Sequence, residues 1–520
     1  MTLKKITAII LSAASVLSLA ACGGKNETAD NLDDMPKEIS ISVYDTGKVP
    51  VSAGSFESNN WTQWIEQESG IKVNWVPIPR SSYKQKYATL ISSGQMPDII
   101  TEFDVDFVAS LVEQDIVQPV DEYIEKYSTT YKEYLNEHSE LKQYLTFNDK
   151  MYAMATERSA DQIINHGMWI RKDWLDKLGL EMPKTDEEFI KVAKAFKEQD
   201  PDGNGVNDTF GVSIINWHEI MPAMYFSGNN WYLEEDGKLK FGHIRDGYGD
   251  SLGFLKRLYD EGLIDPEFIT DKSSQNQKQL WATGKTGILT YSWNETMNQE
   301  LLANNPNANP VPLEPFTTKY GKNGLYQEIL PYKYILINKD AKNPKAVMEF
   351  IDWMVEKGWF NLKFGFEGEN FKFVKDSEGN DVPQIINAEK NAEELDWASC
   401  YLFASDWQVK KEWIPLMAAQ DERSQKLAKM RAESFDVASK NKYRRDIPYN
   451  PPITEVGNFL SEFGVKRDEI RTQVIVGGAE YSVEWGMEKI REEWKRLGGE
   501  EIETLVNEWY QKNKDSFKNE

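Results

Sequence analysis

The first apolar stretch, Ile6 to Leu19, follows Lys4-Lys5 and runs into Ala20-Ala21 before Cys22. A basic start, a short apolar core and small residues ahead of a cut site form the pattern of a secretory leader. The run is too short to span a bilayer comfortably. From Gly23 to Asp30 the chain is small and polar, as a flexible tether would be. Alternation then sets in. Ile39 to Tyr44 alternates apolar and polar residues, as a strand with one buried face does. Trp61, Trp64, Ile65 and Glu68 are spaced i, i+3, i+4, i+7 and predict a helix that Gly70 ends. Ile71 to Val76 alternates again. Tyr83 to Ser93 predicts a helix closed by Gly94, and Ile99-Ile100 starts a short buried strand after Pro97-Asp98. Strand, helix, strand, helix, strand is the order of an α/β protein with a parallel sheet.

The same grammar recurs downstream. Trp169–Leu178, Thr185–Glu198, Asp250–Tyr259 and Pro344–Glu356 predict helices; Phe210–Ile215, Thr286–Tyr291 and Tyr332–Asn338 predict strands. From about Val456 to Lys512 the period is mostly helical. A chain of 520 residues is too long for one core and implies two domains. The net charge of −24 becomes −26 when Lys4 and Lys5 leave with the leader. That argues against nucleic acid or anionic lipid as bulk electrostatic partners, and a polyanionic solute would need a local basic cleft. Leu19-Ala20-Ala21-Cys22 is similar to a bacterial lipobox, in which the cysteine is lipidated and becomes the first residue. Residues 1–21 are then the signal, 22–36 the tether, and the protein sits lipid-anchored on the outer face of the cell membrane. Cys400 is the other cysteine, so no disulfide is expected and a buried, inert thiol is.

The sharpest chemical motif is Asp200-Pro201-Asp202-Gly203-Asn204-Gly205-Val206-Asn207-Asp208. It puts side-chain oxygens at loop positions 1, 3, 5 and 9, Gly205 at 6 and the Val206 carbonyl at 7. These are the first nine residues of an EF-hand-type loop, and hard oxygen donors so spaced select Ca²⁺. Gly211 stands where the bidentate Glu would, so further ligands must come from elsewhere or from water. A strand follows in place of a helix. The expectation is a stabilising Ca²⁺ at Asp200, Asp202, Asn204, Val206 and Asp208, not a sensor.

Several motifs converge on one family. Leu90-Ile-Ser-Ser-Gly94-Gln-Met-Pro97-Asp98-Ile-Ile100 resembles a signature of extracellular solute-binding proteins of carbohydrate ABC importers. Lys150–Met154 resembles the strand entering their hinge, and Trp169–Leu180 with Met182–Phe189 resembles the helix pair opening their second lobe. Asn338–Ala346 is similar to the return into lobe one. Phe364–Phe371 and Lys466–Lys512 are similar to segments of the large lipid-anchored Gram-positive members. The resemblance covers nearly the whole mature chain. It implies a two-lobed periplasmic-binding-protein-like α/β fold with its ligand cleft at the hinge. Lobe one would hold 37–160 and 328–372, lobe two 161–327 and 373–520. It further implies an oligosaccharide as solute, permease subunits as partners, a monomer, and a structural role for the Ca²⁺ loop.

Sugar rings pack their C–H faces on aromatic rings and need polar partners for their hydroxyls. The seventeen tryptophans suit that, though most belong in cores. Candidates follow strands in polar loops: Trp293 after Ile288–Tyr291, Trp217 after Val212–Asn216, Trp231 after Gly228–Asn230, Phe103 and Asp104 after Ile99-Ile100. Tyr44 and Asp45 end the first strand, and Glu157 and Arg158 follow the hinge strand. The resemblance places a stacking aromatic at Trp293. Trp397 and Trp407 are weaker candidates. A glycosidase would need two carboxylates across a cleft, which counting acids does not exclude. The family motifs are those of binders, and the four histidines form no metal pair or triad signature. The protein therefore reads as no enzyme. Peptide binding, and sensing in partnership with a receptor kinase, are the other roles open to this fold.

Overall fold

The computed structural model describes Leu32 and residues 35–215, 217–227, 231–271, 273–447 and 449–517. The leader and Cys22 lie outside the described residues. The strands that build the body are β1 (Glu38–Asp45), β2 (Lys72–Pro79), β3 (Ile99–Glu102), β4 (Ala153–Met154), β5 (Met168–Arg171), β6 (Phe210–Ile214), β7 (Thr286–Thr290), β8 (Pro310–Pro312) and β9 (Tyr334–Ile337). One sheet has the order β2-β1-β3-β9-β4, the other β8-β5-β7-β6.

In the first sheet β1 runs parallel to β2, from Glu38 opposite Lys72 to Asp45 opposite Pro79, and parallel to β3. β9 is antiparallel to β3 and β4. In the second, β7 is parallel to β6 but antiparallel to β5. Both sheets are therefore mixed, not parallel as the sequence order suggests. The reversed strands β5 and β9 are those by which the chain enters one sheet after leaving the other. They start at the edge where β1, β3, β6 and β7 end.

Local signals set the boundaries. Asn59 caps the helix Asn60–Ser69 by accepting from the Trp61 and Thr62 amides, with Thr62 closing a capping box, and left-handed Gly70 ends it. Helix Tyr83–Ser93 ends at Gly94 in the same conformation. Trp169–Leu178 is not one helix: its first residues are β5, and only Lys172–Leu178 is helical. Trp169 and Ile170 lie buried between β7 and β8. An apolar run this short carries no period that separates strand from helix.

Three main cores result. The first packs Ile41, Val43, Ile99, Ile100 and Ile335 to Ile337 against Trp61, Tyr87, Phe350 and Phe403. The second gathers Ile170, Val212 and Ile288 with Phe189, Phe196, Phe254 and Phe316. The third sets the C-terminal helices, through Phe459, Phe463, Ile490 and Trp494, on Trp231 and Phe241. Leu395–Ala404 belongs to the first core. Tyr401 anchors it by donating to the Phe56 carbonyl at 2.6 Å and accepting from Asn59 at 2.8 Å. Cys400 is half-buried, its Sγ 3.4 Å from Thr46 Oγ1.

Asp98 shows why the Pro-Asp pair precedes β3. Its carboxylate accepts from the Ser40 amide at 2.8 Å and the Ser40 hydroxyl at 2.6 Å, and its own amide donates back to that hydroxyl. This locks β3 to β1. Asp98→Ala should lower stability by about 1–3 kcal/mol through the unsatisfied Ser40 groups. Urea unfolding checks it; an unchanged midpoint would remove the lock from the account.

Candidate functional site

The edge where β1 and β3 end and β9 begins gathers aromatic rings and cations. The Tyr44 and Phe103 rings stack with centroids 5.7 Å apart, and Tyr332 meets Phe103 edge-on at 5.9 Å. The Arg80 guanidinium, just past β2, lies 5.3 Å from the Phe103 ring and 5.8 Å from Tyr44. Lys333 Nζ lies 5.3 Å from both Phe103 and Tyr332, and Arg158 covers Tyr332 at 5.9 Å. Tyr44 is buried, Phe103 and Tyr332 half-buried, Arg80 exposed.

Beneath the rings Glu102 is buried and accepts from the Tyr44 hydroxyl at 2.7 and 2.8 Å and from the Phe103 and Asp104 amides. Burial pushes its carboxyl up, opposed by these hydrogen bonds. Tyr44, Phe103 and Arg158 thus meet as a cluster. Asp104 does not share it. One oxygen caps the following helix at the Asp106 and Phe107 amides, and the other takes the Tyr83 hydroxyl at 2.5 Å and Lys84 at 3.1 Å. Asp45 folds onto the Gly47 amide at 2.7 Å. The sequence missed Arg80, Tyr332 and Lys333. Tyr332 and Lys333 carry no strand-end signal, because an antiparallel strand presents its start at this edge, whereas Arg80 stands just past β2.

Glu157 turns away from the rim. It meets His138 Nδ1 at 3.3 Å, and burial, then the Glu140 carboxyl, pushes its own carboxyl up. Ligand atoms of His138, Glu140 and Glu157 lie within 4.8 Å of one another. Glu140 and Glu157 line a cavity of about 950 Å³ with Tyr144, Gln327, Tyr443 and Arg445, between segments of the first and second cores.

Two tryptophans depart from expectation. Trp293 is 2 % exposed in the second core. Its Nε1 donates to the Asp161 carbonyl at 2.7 Å, Phe435 packs edge-on at 5.4 Å, and the Arg431 guanidinium covers the ring at 5.0 Å. Trp231 is 1 % exposed on Phe241 in the third core. Neither offers a free face: Trp293 is covered by the helix that carries Arg431 and Phe435, and Trp231 opens a strand, Trp231–Leu233, paired with Leu239–Phe241 under the C-terminal helices. Trp217 starts a helix, Trp217–Met224; its side chain lies outside the described residues. Trp397 is buried in the first core. Trp407 lines a smaller cavity of about 190 Å³ with Asp161, Glu295, Lys363 and Arg431.

In the Asp200 loop, Asp200 accepts the Gly203, Asn204 and Gly205 amides. Lys285 Nζ bridges Asp202 at 3.1 Å and Asp208 at 2.6 Å. Its hydrogen bond to Asp208, with that of Asn204, holds the Asp208 carboxyl below the usual range. Asn204 Nδ2 also donates to Asp202. Two carboxylates bridged by one ammonium, with the Asp200 carboxylate beside them in the same loop, are a donor set that suits a hard cation.

Two mixed sheets, each with its own core and joined by several crossings, define a two-lobed binding protein of the periplasmic type. The chain belongs to the bacterial extracellular solute-binding proteins, whose family model matches residues 50–359. Among its relatives is Lipoprotein LipO of Bacillus subtilis (strain 168), 28% identical over 475 residues, 86% of this chain and 88% of that one. The fructooligosaccharide ABC transporter substrate-binding protein FusA of Streptococcus pneumoniae is 32% identical over 283 residues, 50% of this chain and 52% of FusA. The FusA structure with kestose superposes with a TM-score of 0.72 at 20% identity, over 92% of this chain and 99% of that one. A FusA EF-hand mutant with fructo-nystose gives 0.71 at 20% identity, with the same coverage.

The burial of Trp293 carries a prediction. Trp293→Ala should cost about 3–5 kcal/mol of ligand-free stability, as core truncations do. Thermal unfolding checks it, and an unshifted transition would put the ring outside the core.

Proposed function

We propose that the protein is held by lipid on the outer cell surface, captures a carbohydrate between its lobes and delivers it to an ABC permease. The observation that carries this reading is the rim. Phe103 and Tyr332 are half-buried aromatic residues at the edge where β1 and β3 end and β9 begins, the kind of edge where α/β folds bind ligands. Arg80 and Arg158 stand beside them to meet hydroxyls or other acceptors. FusA is named for fructooligosaccharides and transport, which supports the same role here. The relatives are solute-binding proteins, and the protein is read as a binder that releases its sugar unaltered. Lobe one comprises 37–160, the return segment 328–372 and the Leu395–Ala404 stretch, which packs in the first core and not in lobe two as the sequence suggests; lobe two comprises 161–327 and most of the later chain.

Phe103→Ala should weaken oligosaccharide binding about five- to a hundredfold, by loss of one stacked ring. Titration calorimetry with a panel of oligosaccharides checks it. Unchanged affinity for the sugar that binds best would take the rim out of the site. Product analysis after long incubation tests the enzyme alternative: cleaved sugar would refute simple capture. For attachment, Cys22→Ser should release the protein to the medium. Retention on membranes after a high-salt wash would end the lipid reading.

Asp200, Asp202, Asn204, Asp208 and the Val206 carbonyl are the residues that would hold Ca²⁺, as a structural ion; an EF-hand in FusA supports this. Lys285 is then the cation that steadies the loop without metal. Chelation should lower the melting temperature, since metal bound only by the folded state stabilises it. Asp200→Ala with Asp202→Ala should erase the response to added Ca²⁺, and Lys285→Met should enlarge it. Elemental analysis finding no calcium in the native protein would count against the site.

A further inference from the structure

The wall of the 950 Å³ cavity carries an imidazole and two carboxyls that the rim does not use. His138 and Glu140 stand just past the helix Thr130–Glu137, and Glu157 lies at the first crossing, beside Thr156. Their ligand atoms fall within 4.8 Å of one another. His138 Nδ1 is 3.3 Å from Glu157 Oε1. That is long for a charge-assisted hydrogen bond, which runs at about 2.7–2.9 Å. It matches the separation of two ligands on a tetrahedral Zn²⁺, about 3.3–3.4 Å when each bond is about 2.0–2.1 Å. Tyr134 steadies both partners. Its ring stacks on the imidazole with centroids 4.3 Å apart, and its hydroxyl accepts the Glu157 amide at 2.9 Å. Among the described residues neither carboxyl has a lysine or arginine in ion-pair distance. Arg445, which lines the same cavity, covers the Tyr326 and Tyr443 rings instead. Two carboxyls this close repel when both are ionised, and one imidazole balances only one of them. Gln327 adds an independent sign. It lines the cavity with Glu140 and Glu157, is 8 % exposed, and its Nε2 has no hydrogen-bond partner among the described residues. A buried N–H without an acceptor is costly, and an oxygen carried by a bound ion supplies one.

We propose that His138 Nδ1 and the carboxylates of Glu140 and Glu157 hold a divalent cation of the zinc class, with its remaining coordination position open to the cavity. An imidazole beside two carboxylates favours Zn²⁺ over Ca²⁺ and Mg²⁺, which take oxygen ligands. The site differs from the Asp200 loop both in place and in donor chemistry. The ion ties the end of a lobe-one helix to the first crossing. The inference goes beyond carbohydrate capture and does not depend on it.

The test uses the untagged protein, purified from membranes in mild detergent and stripped of metal with a chelator. Calorimetric titration with ZnCl₂ is run in excess Ca²⁺, which keeps Zn²⁺ off sites made of oxygen alone. The expected result is one Zn²⁺ per chain and a higher melting temperature, since the ion binds the folded state. Co²⁺ in place of Zn²⁺ should give visible absorption bands that report its nitrogen and oxygen ligands. His138→Gln and Glu140→Gln should each weaken Zn²⁺ binding at least tenfold and remove those bands. Glu140 is exposed, so Glu140→Gln should leave metal-free melting unchanged and carries the test even if His138→Gln fails to fold. Folded parent protein that takes up no Zn²⁺ would overturn the site. Unchanged Zn²⁺ affinity in either variant would do the same, and carbohydrate capture would stand in both cases.

Discussion

Thr156 joins the crossings of the chain between its two sheets. It is fully buried. Its carbonyl accepts the Tyr332 amide at 2.8 Å, and its hydroxyl accepts the Ser405 amide at 3.0 Å. The Arg158 amide bonds the Leu330 carbonyl at 2.8 Å in the same ladder. Three segments far apart in sequence therefore meet through one residue. These bonds are short and buried, and they tie both crossings to the segment that follows Leu395–Ala404. The order of strands follows from the same point. A segment leaving a sheet ends at this edge and one arriving begins at it, which is why both sheets are mixed.

The rim inherits its composition from that geometry. Tyr44 and Phe103 arrive at the ends of β1 and β3, Tyr332 and Lys333 at the approach to β9, Arg158 from the first crossing. None needs a dedicated loop. The Glu102 carboxylate binds the Tyr44 hydroxyl and two backbone amides, so the platform is fixed from below. A ligand meeting it would pay little to order the rings. That pre-organisation matters more for affinity than the area of the platform.

Much of this was legible in the sequence, and what was not has a common cause. Helix Tyr83–Ser93 is read to the residue because Gly94 marks its end, and Ile39–Tyr44 lies within β1 because its alternation is long enough to count. Asp98 shows in the Pro-Asp pair, though its partner Ser40 does not, being 58 positions away. Phe103 and Arg158 could be named from their place after strands. Lys333 could not, since nothing local tells that β9 is reversed; Arg80, just past β2, has the same kind of place as Phe103. The burial of Trp293 is likewise not visible locally. Its cover, Arg431 and Phe435, comes from a helix more than a hundred residues downstream, and a local window sees only a ring in a polar loop.

Arginine over a tryptophan face illustrates how one contact type serves two ends. At Trp293 the Arg431 guanidinium lies 3.7 Å from carboxylates of both Asp161 and Glu295. Its charge is compensated, and the stack acts as part of a core. At Phe103 the Arg80 guanidinium has a similar relation to a ring, but among the described residues no carboxylate pairs with it. Cation–π attraction at an exposed site is about 0.5–1 kcal/mol, too little to hold a long side chain over a ring against its rotamer entropy. The compensated arginine is held by its carboxylates as well as by the ring, whereas among the described residues the one at Phe103 has ring contacts alone. The difference between the two sites is thus one of electrostatic completion, and at Trp293 it makes the arginine part of the core.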